Sequence, residues 1–226
     1  TSDDTYFGLG AGNNALLATS DGFMGSTGFG KNALSAQTTG SANTAFGALA
    51  MSSGISIMES VAIGNSALAL ATSSGSFSVA VGTGALENYL GRNDNTAIGY
   101  LAANYLGDDY NGWAADNVAI GAYTMSAGGI NASDNVAIGA YALSYVEGNR
   151  NIAVGSNALY SNSTGTSSIA LGYNAGYSNT TGYNNIIIGY NTNLPANNSS
   201  NMLNIGNLIY ATGLTAFANQ SSAVSA

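Results

Sequence analysis

Few groups in this chain can do chemistry. Its 226 residues include 11 acidic and 3 basic side chains and no histidine or cysteine. An ordinary zinc site, a Ser-His-Asp or Cys-His nucleophile and a disulfide framework are therefore excluded. The one cluster that could serve catalysis is Asp108, Asp109, Tyr110 and Trp113, where paired carboxylates beside aromatic rings suit glycoside hydrolysis in a groove. Neighbouring residues in an insertion read better as a solvated loop tip. No catalytic residue, cofactor or metal ligand is assigned, and these four are expected to touch a receptor.

The cations are Lys31, Arg92 and Arg150, and the net charge is −8. So few cations cannot neutralise a phosphate backbone, so nucleic acid is not an expected partner, and anionic lipid is disfavoured for the same reason. A second charged pattern is a column, Glu59, Asp94, Asp116, Asp134 and Arg150, each five residues before a recurring glycine. Stacked carboxylates could hold Ca²⁺, with Arg150 neutralising Asp134 from the adjacent coil. The calcium β-roll signature Gly-Gly-x-Gly-x-Asp is absent from the sequence, which favours exposed, solvated carboxylates.

The element that must position these residues is a repeat. Asn117-Val118-Ala119-Ile120-Gly121 returns as Asn135-Val136-Ala137-Ile138-Gly139. The closing glycine marks the series Gly30, Gly47, Gly64, Gly82, Gly99, Gly121, Gly139, Gly155, Gly172, Gly189 and Gly206, with a blurred start at Gly10 or Gly12. The spacings are 17, 17, 18, 17, 22, 18, 16, 17, 17 and 17 residues. A small residue recurs three positions after the glycine, often followed by Leu or Met, as in Ala142-Leu143.

Apolar residues alternating with Ala, as in Val61-Ala62-Ile63, mark a strand, and the unit is too short for a helix pair. The expected fold is all-β: a parallel β-solenoid of about twelve coils of roughly 17 residues over 1–206, each coil a strand, a glycine bend, a second short strand and a turn. Gly supplies a corner with positive φ, and Val, Ile, Leu and Phe are expected to fill a thin core. Asn43, Ser60, Ser78, Asn95, Asn117, Asn135, Asn151, Ser168 and Asn185 stand four residues before the glycine. They form an axial amide and hydroxyl ladder or simply mark turns; both readings are structural. Residues 207–226 read as a cap, a linker or an inter-subunit segment.

Charged residues make up 6% of the chain, against about 25% in an ordinary domain. With 46% hydrophobic residues the chain is nonetheless expected to fold. No stretch approaches the roughly 18 apolar residues of a membrane helix, so insertion is not expected. Thr1 to Asp4 look like neither a signal peptide nor a translation start, which suggests a processed or excised fragment.

The motifs Asn-Val-Ala-Ile-Gly and Asn-Ile-Ala-Val-Gly with x-x-Ala-Leu resemble the head repeats of YadA-like trimeric autotransporter adhesins. That resemblance, over roughly residues 5 to 206, implies a left-handed parallel β-roll packed as a trimer. The repeat here is longer than in adhesin heads, and these 226 residues include neither a coiled-coil stalk nor a membrane anchor. Asn157-Ala158-Leu159-Tyr160-Ser161-Asn162-Ser163-Thr164-Gly165, Tyr177-Ser178-Asn179-Thr180-Thr181-Gly182 and Leu203-Asn204-Ile205-Gly206-Asn207-Leu208-Ile209-Tyr210 are similar to bacteriophage tail-fibre arrays that precede an endosialidase-type chaperone domain.

The expected function is therefore that of a structural fibre, extracellular, on a virion or a cell surface, with itself and a cell-envelope glycan or protein receptor as partners. An adhesin head and a self-polymerising filament are the alternatives. Among the 14 tyrosines, Tyr100, Tyr123, Tyr141, Tyr173 and Tyr190 lie just past the marker glycine. They could stack on sugars or pack between chains of the trimer. Ice binding would need a regular Thr-x-Thr face, which does not recur.

Overall fold

A computed structural model describes residues 4–13, 25–71, 76–89, 94–107, 114–127 and 132–213. The triplets of small and β-branched residues form one strand per coil. These are β1 (Thr5–Phe7), β2 (Thr27–Phe29), β3 (Thr44–Phe46), β4 (Val61–Ile63), β5 (Val79–Val81), β6 (Thr96–Ile98), β7 (Val118–Ile120), β8 (Val136–Ile138), β9 (Ile152–Val154), β10 (Ile169–Leu171), β11 (Ile186–Ile188), β12 (Met202–Ile205) and β13 (Ile209–Thr212). They make a single sheet in sequence order, parallel from β1 to β12, with each Ala beside the Ala of the next coil wherever the repeat is intact, as in Ala119↔Ala137. The parallel β-solenoid is thus present.

The turn count is lower than expected: about 9 turns of some 17 residues. Twelve parallel strands are joined by both regular intervals of 16 to 18 residues and two longer ones of 22, Gly8 to Gly30 and Gly99 to Gly121, so the coils are not one uniform series. The first marker is Gly8, not Gly10 or Gly12: it follows β1 and has φ 132, within the range of the other markers. The sequence blurs this start because β1 carries Tyr6 in place of Ala.

Among the described residues no second strand per coil forms. After the marker glycine the chain takes a staircase of left-handed residues, two and four positions on, as at Tyr141 (φ 59) and Leu143 (φ 48). A further left-handed corner lies five before the glycine, as at Asp134 (φ 59). None of the described non-glycine residues with positive φ is β-branched, because a branched Cβ collides with the backbone in that region.

The core also differs from expectation. A three-residue strand turns only its middle side chain inward. Ala45, Ala62, Ala80, Ala97, Ala119, Ala137, Ala153 and Ala170 are therefore buried, while the flanking Val, Ile and Phe point outward: Ala137 is 0% exposed and Ile138 is 38% exposed. Bulk comes instead from the left-handed Leu and Met, Leu34, Met51, Leu68, Leu86, Met125, Leu143 and Leu159, all buried. A coil this narrow has room for one Ala and one long side chain facing each other.

The marker glycine is required by contact as well as by φ. At Gly139 (φ 131) a Cβ would lie 2.6 Å from the carbonyl carbon and oxygen of Gly155 in the next coil.

The polar residue four before the glycine is buried throughout, and the ladder reading holds. The backbone N–H of Asn117 donates to Asn95 Oδ1 (3.1 Å), that of Asn135 to Asn117 Oδ1 (3.1 Å), that of Asn151 to Asn135 Oδ1 (2.9 Å) and that of Ser168 to Asn151 Oδ1 (3.0 Å). Each Asn amide also donates inward, as Asn135 Nδ2 does to the Gly148 carbonyl at 3.0 Å. The ladder starts at Asp4, whose Oδ1 accepts from Ser26 N–H at 2.8 Å. It ends at Met202, whose N–H donates to Asn185 Oδ1 at 3.1 Å and which has no side-chain oxygen to offer onward.

Residues 207–213 continue the sheet. Gly206 (φ 58) and Asn207 (φ 57) make the turn to β13, which pairs antiparallel with β12. The inward position of β12 is Asn204, which donates to the Asn193 carbonyl (2.8 Å) and holds Asn207 from both ends of its amide (3.0 Å each). Of the segment expected to be a cap, linker or inter-subunit piece, this part is a hairpin covering the last parallel strand; 214–226 lie outside the described residues.

Candidate functional site

Asp108, Asp109, Tyr110 and Trp113, the expected receptor contacts, lie outside the described residues. Their flanks are fixed: Leu106 and Ala114 are buried core residues on either side. The charge column occupies exposed left-handed corners at Glu59, Asp94, Asp116, Asp134 and Arg150, interrupted by Phe77 between the first two. Among the described residues no group of three or more metal-ligating side chains comes together, and no described helix is long and apolar enough to cross a membrane.

Two surfaces along the rod depart from an ordinary solvated exterior. The first is the outward side of the sheet. Because both flanks of each strand point out, the residue before the marker forms an apolar column through Phe7, Phe29, Phe46, Ile63, Ile98, Ile138, Val154 and Leu171, all partly exposed. At the start the rings stack, Phe7 on Phe29 at 5.0 Å and Phe29 on Phe46 at 4.8 Å. At about 4.8 Å per strand the column runs about 43 Å from Phe7 in β1 to Leu171 in β10.

The second surface is built on the left-handed staircase. That staircase turns the third and fourth residues after the marker inward and leaves the first, second and sixth more open, so Tyr along it comes into contact across coils. Tyr100 meets Tyr123 edge-on at 5.3 Å, Tyr123 stacks on Tyr141 at 5.0 Å, Tyr141 meets Tyr160 at 6.4 Å, and Tyr160 stacks on Tyr177 at 5.0 Å with Tyr145 edge-on to it at 5.3 Å. Tyr173 and Tyr190 form a separate stacked pair at 5.5 Å, and Tyr190 is 73% exposed. Hydrogen bonding with Tyr100 raises the Tyr123 hydroxyl pKa above the usual phenol value, and bonding with Tyr145 does the same at Tyr160. The column two residues past the marker then changes from rings to amides, with Asn157 Nδ2 donating to Asn174 Oδ1 at 3.0 Å and Asn174 Nδ2 to Asn191 Oδ1 at 2.8 Å.

From the sequence only a loose stripe just past the glycine is visible. The partners Tyr145, Tyr160 and Tyr177, five or six positions on, are missed because their contacts cross from one coil to the next, Tyr160 meeting Tyr141, Tyr145 and Tyr177. The usable signal would have been position counted from each marker rather than nearness to it. Comparison with known proteins returns no match: no protein-family model, no curated protein and no solved structure.

Proposed function

We propose that this chain is a structural fibre segment that assembles as a homotrimer outside the cell and presents side groups to a cell-envelope receptor, as in a phage tail fibre, with an adhesin head as the alternative. The observation that carries this reading is the uninterrupted apolar column on the sheet face. A patch of that length on a rod with so little charge calls for cover, and a second and third copy supply the same column at the same spacing. The sequence resemblance to trimeric β-roll heads supports three copies and a left-handed coil. The absence of His and Cys from the sequence supports attachment rather than catalysis.

A self-polymerising filament is less well supported. Head-to-tail growth needs a free parallel edge at the last coil, and β13 covers β12 there.

Sedimentation equilibrium should give three times the 22.5 kDa chain mass. Replacing Ile98 and Ile138 with Asp should yield monomers that keep their β circular dichroism. A monodisperse monomer of the unmodified chain overturns the trimer. Failure to adsorb to envelope preparations from several Gram-negative and Gram-positive bacteria overturns attachment.

A further inference from the structure

We propose that the tyrosine face is a binding surface for an extended, uncharged polysaccharide; this rests on the attachment reading above and moves the contact from the 108–113 insertion to the side of the rod. In the coils from Gly99 to Gly206 positions one, two, five and six after each marker hold Tyr, Asn, Ser, Ala, Leu and one Pro, with no charged residue; most of these side chains face outward, while Asn104, Ser144 and Leu194 are buried. The charges of the same coils stand elsewhere: Asp108 and Asp109 nine and ten after the marker, Asp116, Asp134 and Arg150 five before it, and Glu147 eight after it. A face without charge gives an anionic or cationic ligand no counter-ion and leaves a neutral one no desolvated ion to oppose.

Tyr, Ser and Asn are the side chains of general recognition surfaces: the ring supplies rigid area, and hydroxyls and amides supply adaptable hydrogen bonds. The column proposed above as the subunit contact has a different composition, Val, Ile, Leu and Phe without hydroxyls or amides at the position before the marker. The rings are also held in place before any ligand arrives. Tyr123 and Tyr141 lie within 5° of parallel, Tyr160 and Tyr177 within 2°, and Tyr100 and Tyr145 pack edge-on against them. Order already present is not lost again on binding. Sugars combine apolar C–H faces with hydroxyls, which matches rings that continue into an amide column at Asn157 and Asn174. Coils repeat about every 4.8 Å, comparable with the advance of one sugar ring along an extended polysaccharide, so successive sugars meet successive coils.

The test uses the full chain in calorimetric titration against soluble β-1,4-glucan, α-mannan and galactan, with polygalacturonate as the anionic control. The triple variant Tyr141→Ala, Tyr160→Ala, Tyr177→Ala is compared with Asp109→Ala, Trp113→Ala. The expected result is binding of at least one neutral polymer, weakened at least tenfold in the tyrosine variant and less than twofold in the insertion variant, with oligomer mass unchanged in both. The proposal is overturned if no neutral polymer binds, if only polygalacturonate binds, if the insertion variant alone loses binding, or if the tyrosine variant changes oligomer mass, which would make the rings a subunit contact. Adsorption of the same proteins to bacterial envelopes separates the two levels. Adsorption that survives the tyrosine substitutions overturns this surface and leaves attachment standing, whereas no adsorption by the unmodified chain removes attachment itself.

Discussion

At the scale of the residue, the coil is closed by side chains in a backbone region that L-residues rarely adopt. Leu143 sits at φ 48 with its side chain fully buried. A left-handed residue costs roughly 1–2 kcal/mol, and burial of a Leu side chain returns roughly 1.5–3 kcal/mol. The conformation persists because burial outweighs it. The balance predicts an unusual ranking: Leu143→Met, unbranched at Cβ, should cost less than about 1.5 kcal/mol, while Leu143→Ile should cost about 2 kcal/mol or more despite equal volume. Urea unfolding of the two variants measures the difference, and equal midpoints would contradict it. Gly139 is stricter. Its φ of 131 and the approach of Gly155 at 2.6 Å leave no room for any Cβ. Gly139→Val should lower the melting temperature by more than any single core Leu→Ala change, or prevent folding; unchanged melting would mean the corner is not as described.

At the scale of the element, strands of three residues could not hold together by themselves. The sheet is held by the ladder beside it, where each buried Asn takes an N–H from one coil and gives its amide hydrogens to others. Asn135→Ala removes the acceptor for Asn151 N–H (2.9 Å) and the donor to the Gly148 carbonyl (3.0 Å). Each buried group left unpaired costs about 1–3 kcal/mol, so the variant should lose about 3 kcal/mol in chemical unfolding. Asn135→Ser keeps an acceptor, as Ser60 does for Ser78 N–H at 3.1 Å, and should lose less. If Ser and Ala prove equally costly, the side-chain oxygen is not what stabilises the stack. The hairpin at the end follows the same logic in reverse. Met202 ends the ladder, Asn204 puts a polar group where Ala would continue the core, and β13 occupies the edge a further coil would need.

For the whole molecule, the scarcity of ionisable groups sets how stability responds to pH. With no histidine, no side chain of ordinary pKa titrates between about pH 5 and 8. Two tyrosines act at the alkaline end. Burial, then the nearby Asp4 carboxylate, pushes Tyr6 up to about 12 from 10.0. Burial also raises Tyr89, whose hydroxyl sits between Asn95 Nδ2 (2.5 Å) and the Ala114 carbonyl (3.4 Å). Above pH 10 the unfolded chain releases these protons while the folded chain keeps them, so the unfolded state gains and stability falls as pH rises. The contribution is complete below about pH 10 and is lost through about 12 and beyond. The melting temperature should therefore fall steeply between those values, and less steeply in Tyr89→Phe. A profile identical in that variant would show that Tyr89 is not buried as a neutral hydroxyl.

The repeat made much of this legible without coordinates. A marker glycine every 17 residues or so, Ala within β-branched residues and Asn at a fixed offset are local features, and a parallel stack turns any local feature into a column. The parallel sheet and the glycine corner therefore followed from sequence alone, whereas the Asn and Ser positions read either as a ladder or as turn markers, and only the hydrogen bonds between coils select the ladder. What the sequence could not decide is which way side chains face when a strand is only three residues long. Alternation is satisfied equally by Ala in or Ala out, and Val and Ile looked like the core. The width of the closed coil decides it: only Ala fits inside beside a left-handed Leu, so the larger residues are sent to the surface. Likewise the spacing of tyrosines names no partners, because Tyr141 and Tyr160 differ in offset and meet only when one coil is laid on the next. Position within a coil was written in the sequence; contact between coils, and with it the two exposed faces of apolar residues and of tyrosines, came from the tertiary stack.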